Sequence, residues 1–328
     1  MDITIPYYED MTRISNSNIG WFIKKGPKYL KEMLNGEREG LKLPQLEKGS
    51  MIHEYVLQPN EFWKDYIILN FETPKTKQQK DFCEAYVSSL ELIEDEKKLQ
   101  AYKSSYSNSK SWQIALKEAT ELCNKYKRYI EYLRLKDNKK VISFADLNML
   151  KTIENNLREH KKANEILYSY PAEFEVNNEF HINWEYPNAS TMGDLPCKSL
   201  LDRLMIDHIN KKIRLVDLKT TADVYNFKHS IEEFDYCRQM AYYWLAIYWY
   251  FKNELKLNIE EYDYETYIIA IQSHDSYEVR VFAIDSKAIE EELVTIDQAI
   301  RKIAWHKNNN LWEHTKEYYE SDGAEILI

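Results

Sequence analysis

Asp217 and Lys219 stand two residues apart in the apolar run IRLVDLKTT, and Asp202 lies 15 residues before Asp217 in a second such run, SLLDRLMID. Acids and an amine among Leu, Ile and Val are costly to desolvate unless a partner compensates them. Side chains alternate along a strand, so Asp217 and Lys219 share one face while Val216 and Leu218 take the other. A hairpin turning at Asn210-Lys211 sets Asp202 on the neighbouring strand, where it can join them. Two converging carboxylates suit a hard divalent cation such as Mg²⁺, which takes a few oxygen ligands and keeps several waters. A lysine beside it can steer or deprotonate an attacking water and offset charge on a phosphorane-like transition state. The layout is that of phosphodiester cleavage. An isolated Asp-x-Lys is far more often a simple ion pair, so the reading depends on the surrounding elements.

Those elements change character along the chain. ISNSNIGWFIKKGPKYLKEMLNG reads as two short helices, with Ser15 or Ser17 as N-cap of the first and Gly26-Pro27 breaking the run. A further helix around LEKGSMIHEYVLQP ends near Pro59. Residues 76 to 165 carry helical periodicity with many charges and few breakers, with turns expected at Ser104 to Ser111 and around Asp137. EFEVNNEFHINWEY alternates like a hairpin turning near Asn177-Asn178, followed by the hairpin of Asp202 and Asp217. A long helical segment follows Asp223, then the strands YETYIIAIQ and YEVRVFAID and a helix from about Ser286 to Asn308. The expected fold is α/β, a mixed central sheet flanked by helices with a helical N-terminal insertion. The segments are 1–75, 76–165 and 166–328.

Composition narrows the class. With 328 residues and 44% hydrophobic content the chain can bury a real core. No apolar run approaches the roughly 20 residues of a membrane span, and MDITIPYYED has neither a basic leader nor a signal-peptide core, so no membrane association and a cytoplasmic location are expected. Cys83, Cys123, Cys197 and Cys237 form no CxxC pair, which gives no support to a zinc ribbon or disulfide scaffold and fits a reducing cytosol. The net charge of −10 is uneven: residues 75 to 162 hold 19 Lys and Arg against 13 Asp and Glu, a local +6 that leaves −16 elsewhere. A basic region on an acidic protein is compatible with a localised phosphate-binding surface.

The stretch from Leu200 to Thr221 resembles the Asp…(Asp/Glu)-x-Lys core of the PD-(D/E)XK nuclease superfamily, with a restriction-endonuclease-like sheet. GSMIH, Gly49 to His53, is similar to the helical glycine-histidine motif of its RecB-like branch, and QMAYY, Gln239 to Tyr243, to the QxxxY motif of that branch. The wording is most similar to the RecE, or exonuclease VIII, family. ISNSNIGWFIKKGPKYL, GSMIHEYVLQP, CKSLLDRLMID, LVDLKTTADVYNFKHSI and YCRQMAYYWLA occur in the family's order and cover about half the chain.

The resemblance implies a Mg²⁺- or Mn²⁺-dependent exonuclease acting on ends of double-stranded DNA, 5′ to 3′, in recombination beside a single-strand annealing protein. It makes His53, Asp202, Asp217 and the Leu218 carbonyl metal ligands, with Glu179 as a further carboxylate and Glu173 and Glu175 as rivals. Lys219 is then the catalytic amine. Gln239 and Tyr243, one helical turn apart with Tyr236 on the same face, hydrogen-bond DNA or brace the lysine strand. Gly49, one turn before His53, is expected to leave open space beside the imidazole. No counterpart of the iron-sulfur cysteines of some relatives exists, so no cluster is expected. A ring-like homo-oligomer is compatible with the family, as is a phage-type recombination gene. The alternatives are an endonuclease or a single-strand or branched-DNA nuclease of the same fold, and a catalytically silent DNA-binding scaffold.

Overall fold

A computed structural model describes residues 5–38, 44–69, 71–89, 92–106, 110–135 and 139–324. Two compact units emerge, one of residues 1–57 with 153–328, the other of residues 58–152. The helical block expected at 76–165 overlaps the second unit and runs past its end.

The elements run α1 (Asn16–Leu34), α2 (Pro44–Leu57), α3 (Pro59–Asp65), β1 (Tyr66–Leu69), α4 (Lys77–Ser88), α5 (Glu94–Ser105), α6 (Trp112–Lys125), α7 (Lys127–Leu135), β2 (Lys140–Ser143), α8 (Phe144–Glu159) and α9 (Lys161–Leu167). There follow β3 (Phe174–Ser190), β4 (Gly193–Asp207), β5 (Lys212–Thr221), α10 (Phe227–Glu233), α11 (Tyr236–Tyr250), β6 (Asp263–Gln272), β7 (Val279–Ala283), α12 (Ser286–Asn309) and α13 (Lys316–Glu320).

Local chemistry sets several boundaries. Ser15 caps α1 in a reciprocal box with Asn18, and Gly26, at φ +84, kinks the helix just before Pro27. The two short helices read from the sequence are thus two arms of one bent element. Asp235, at φ +53, separates α10 from α11, where a single long helix was expected. The α11 helix widens into a π-turn at Phe251–Leu255.

The first unit is built on a five-stranded sheet of order β3-β4-β5-β6-β7, antiparallel except for the parallel pair β5 and β6. This is the mixed sheet flanked by helices that the sequence pattern indicates. Ile182, Trp184, Cys197, Leu204 and Leu215 of the sheet pack with Ile19 of α1, Tyr242 and Ile247 of α11 and Ile300 of α12 in one core. The β4–β5 hairpin turns at Asn210-Lys211 as read, with Asp207 accepting from the Ile209 and Asn210 amides.

EFEVNNEFHINWEY is not a hairpin. All of it after Glu173 lies within the single strand β3, which turns into β4 only after Ser190. Asn177 and Asn178 stay in the ladder opposite Leu204 and Arg203, and Asn178 donates to the Leu57 carbonyl, so both behave as strand residues. The irregular residue is the next one, Glu179, at φ +48.

The second unit has its own core of Phe82, Cys83, Tyr86, Ala101, Tyr102, Ala119, Tyr126 and Ile130 from α4, α5, α6 and α7. It also holds a parallel pair, β1 with β2, that the helical reading of this region lacked. Runs as short as YIIL and KVIS are too brief for an alternating pattern to stand out. The turn expected around Asp137 lies outside the described residues, as does the middle of the Ser104 to Ser111 turn. Among the described residues no helix is long and apolar enough to cross a membrane.

Candidate metal centre and active site

The site forms where the sheet forks. β4 and β5 pair from Asp207 with Lys212 up to Arg203 with Val216 and then part. Beyond that point β5 keeps β6 on one side, through Thr221 with Gln272, while β4 keeps β3 on the other. The edge of β5 from Asp217 onward is therefore open towards β4. Asp202 fills the gap: its Oδ2 accepts the Leu218 N–H at 2.7 Å, replacing the ladder bond that the fork removed.

The side-chain alternation of β4 breaks at the same place. Leu201 and Leu204, three apart, face one core, as do Phe180 and the apolar residues beyond it on β3. The ladder pairs Asn178 with Arg203 and Phe180 with Leu201, skipping Glu179 and Asp202 between them. The left-handed backbone of Glu179 is the break. It releases both carboxylates from the regular pleat and lets them meet.

His53 arrives on α2. Its Nδ1 lies 3.5 Å from Asp202 Oδ2. One ligand atom each from His53, Glu179 and Asp202 lie within 4.8 Å of one another, a donor set of nitrogen and carboxylate oxygen that suits a divalent cation. Gly49 does not leave open space beside the imidazole. A Cβ there would meet Thr220 Oγ1 at 3.2 Å, so the glycine lets α2 press against β5 and bring His53 to the fork.

Asp217 and Lys219 project from β5 on the face that carries Ile213 and Leu215. Lys219 Nζ is 2.5 Å from Asp217 Oδ2 and 5.0 Å from the centre of the Tyr236 ring. Asp217 is only 1% exposed, and its Oδ1 is buried without a hydrogen-bond partner. Such an oxygen is costly to bury, and a cation is one thing that removes the cost. Gln239 donates to the Tyr243 hydroxyl at 2.8 Å along α11, and Tyr243 is buried.

Electrostatics mark the same cluster. Burial, with the charges of Asp202, Glu54 and Asp217 adding to it, lifts Glu179 to about 7. Burial lifts Asp217 to about 6 against the pull of Lys219, and it raises Asp202 as well. Burial and the Lys219 charge push His53 down to about 4, so the imidazole is neutral near pH 7, the form that binds metal. Burial opposes the Lys219 charge, but Asp217 and Asp202 outweigh it and hold the ammonium above its ordinary value. Clusters of carboxylates destabilised in this way concentrate at functional sites.

The sequence-derived residues do not all occupy equivalent places. His53, Glu179 and Asp202 form the compact donor set, and Asp217 adjoins it while engaged by Lys219. Leu218 contributes its N–H to Asp202, and a backbone hydrogen bond links His53 to Leu218. Glu173 and Glu175 are exposed, and Glu175 accepts from Asn177 rather than turning to the cluster. Sequence reasoning missed Glu54, whose charge acts on Glu179, and Tyr8, whose hydroxyl feels burial and then Glu179, Asp202 and Glu54. Glu54 carried a signal, being next to His53; Tyr8, far upstream, carried none.

Residues 190–321 match the model of a PDDEXK-like domain of unknown function (DUF3799). That segment holds Asp202, Asp217, Lys219, Gln239 and Tyr243, and it is consistent with the PD-(D/E)XK superfamily. A search of curated proteins found no match. Among solved structures, a "putative exonuclease" from Eubacterium rectale aligns over 100% of this chain and 96% of its own, at 14% identity and a TM-score of 0.49. SSO0001 aligns over 76% of this chain and 96% of its own, at 9% identity and a TM-score of 0.25.

Proposed function

We propose that the protein is a divalent-metal-dependent deoxyribonuclease that hydrolyses duplex DNA from its ends, 5′ to 3′, in recombination or DNA processing. The observation that supports this most is the meeting of His53, Glu179 and Asp202 within 4.8 Å at the open edge of β5, next to the Asp217–Lys219 ion pair. His53, Asp202 and Glu179 would hold Mg²⁺ or Mn²⁺, with Asp217 and the Leu218 carbonyl adjoining. The bound cation would supply Lewis acidity at the phosphate and a more acidic water.

The chain's own groups do the positioning. Lys219, kept charged by Asp217 and Asp202, donates to a phosphate oxygen and offsets the negative charge that grows there. Its raised pKa favours this donor role over that of a general base. The Tyr236 ring holds the ammonium from the other side. Gln239 and Tyr243, which hydrogen-bond to each other on α11, would brace the lysine strand. In-line attack of a water that gives its proton to solvent, with the departing 3′-oxygen taking one from solvent, gives 5′-phosphate and 3′-hydroxyl products.

The basic balance of the block from 75 to 162 supports a second contact with the DNA backbone. A single-strand annealing protein as partner and a homo-oligomer as a route to processivity belong to the same proposal, and co-purification and sedimentation respectively check them. The decisive experiment compares linear with covalently closed duplex, labelled at each 5′ and 3′ end in turn, with Mg²⁺, Mn²⁺ or chelator. Release of nucleotides from linear ends alone supports the proposal. Cutting of closed circles makes it an endonuclease, preference for single-stranded or branched DNA moves the substrate, and no cutting with either metal leaves a binding scaffold.

A further inference from the structure

Beside the catalytic strand lies a cleft of about 570 Å³ that the proposed chemistry does not use. Its size is that of a small-molecule pocket. It begins where the site ends: Thr220, which follows Lys219, and Tyr236, whose ring faces the lysine amine, both line it. Tyr236 contacts two further rings of the wall. Phe227 is stacked at 5.8 Å, and Phe234 lies at 5.8 Å on an interplanar angle of 31°. Phe227 is fully buried, yet Phe234 is 54% exposed, an open ring at the mouth of the cleft.

The other wall is polar and braced. Lys48 of α2 donates to the Ser273 carbonyl at 2.8 Å and ties the mouth together. Asn226 and Ser230, an exposed amide residue and a half-buried hydroxyl residue, are among its lining. Flat aromatic surface with a few hydrogen-bonding groups is the chemistry that holds an unstacked nucleobase. Inorganic phosphate alone would leave the rings without a role.

We propose that this cleft takes the nucleobase adjoining the scissile phosphate, drawn out of its stack, with Phe234 as the stacking face and Asn226 and Ser230 reading the base edge. The proposal rests on the nuclease reading and deepens it. Tyr236 then serves both sides, bracing Lys219 and walling the base pocket, so that seating the base aligns the linkage with the lysine. The end of a duplex frays more readily than its interior, and a pocket that needs one unstacked base favours ends.

The test uses the full-length protein and linear duplexes whose terminal nucleotides are intact, abasic, or 2-aminopurine, with Mn²⁺ or Mg²⁺. The expected result is a KM about tenfold higher on the abasic substrate, a modest loss for stacking one base on one ring, with kcat reduced less. Ser230→Trp fills the cleft and Phe234→Ala removes the stacking face. Each folded variant raises KM on intact DNA to the abasic level and loses sensitivity to the abasic change. The 2-aminopurine emission, quenched on binding wild type through stacking on Phe234, recovers in Phe234→Ala. If wild type degrades DNA but treats abasic and intact ends alike, or if neither variant alters KM, the base pocket is wrong while the nuclease reading stands. If wild type cleaves nothing, the nuclease reading fails and the pocket's role falls with it.

Discussion

The Leu218 amide donates to the Asp202 carboxylate at 2.7 Å at the point where β4 and β5 separate. A backbone donor that would otherwise lose its partner is satisfied by a side chain from the departing strand. The same contact fixes that side chain beside His53 and Glu179. The fold defect and the site are one feature.

Lys219→Ala is expected to lower single-turnover cleavage about 10²–10³-fold, the usual cost of removing one preorganised charge donor. DNA binding measured by fluorescence anisotropy should stay within a few-fold of wild type. Near-normal cleavage by the variant removes Lys219 from the mechanism.

Glu179→Gln takes one charge out of a crowded carboxylate cluster. Without metal its thermal midpoint should rise, because the ionised Glu179 opposes Asp202 and Asp217. With Mn²⁺ it should gain less stabilisation than wild type, roughly tenfold weaker binding being about 1.4 kcal/mol. Glu175→Gln is the control and should match wild type in both states; the reverse pattern assigns the ligand to Glu175.

The pH dependence of the metal-free protein has a defined sign. Glu179 titrates near 7 and Asp217 near 6 in the folded chain, against ordinary values of 4.5 and 3.8, so the folded state binds more protons between about 4 and 7. Their contribution is full below the ordinary values and is lost as pH rises through the folded ones. His53, lowered from 6.5 to about 4, works the other way, losing stability as pH falls through that window. Two acids, with Asp202 adding a third, outweigh one imidazole. Calorimetry in chelator should show the melting temperature rising from pH 7.5 to 5.5. Saturating Mg²⁺ or Mn²⁺ should reverse the slope, since protons then compete with the cation. The same slope in both conditions contradicts a metal site at these acids.

Gly49→Ala adds a Cβ that meets Thr220 Oγ1 at 3.2 Å. Helix propensity gains up to about 1 kcal/mol from the exchange, which offsets the crowding, so the melting temperature should move little. Cleavage should fall several-fold because α2 carries His53. Thr220→Ala removes the obstructing oxygen and should restore activity in the double variant, a coupling that a mutant cycle reads directly. Independent effects of the two substitutions would mean that this contact does not set His53.

Much of this protein was legible in its sequence. Asp217 and Lys219 share a face because a strand alternates, and Asn210-Lys211 turns the hairpin because polar residues interrupt two apolar runs. Gln239 and Tyr243 hydrogen-bond because four residues make one helical turn. Ser15, with Ser17 as the other candidate, marks the start of α1, and Gly26-Pro27, read as a break between two helices, marks its kink. These features obey local rules, so local sequence decides them.

The remainder needed the tertiary structure. EFEVNNEFHINWEY resembles a hairpin because Asn-Asn favours turns, yet pairing with β4 on both sides of Glu179 keeps it one strand and moves the irregularity to that residue. That residue's left-handed backbone, the parting of β4 from β5 and the approach of Gly49 to Thr220 each depend on chain segments far apart in sequence. No period of 2 or 3.6 encodes them. Sequence supplied the acids, the imidazole and the amine; only long-range packing decided that His53, Glu179 and Asp202 would gather at the fork while Asp217 turned to Lys219.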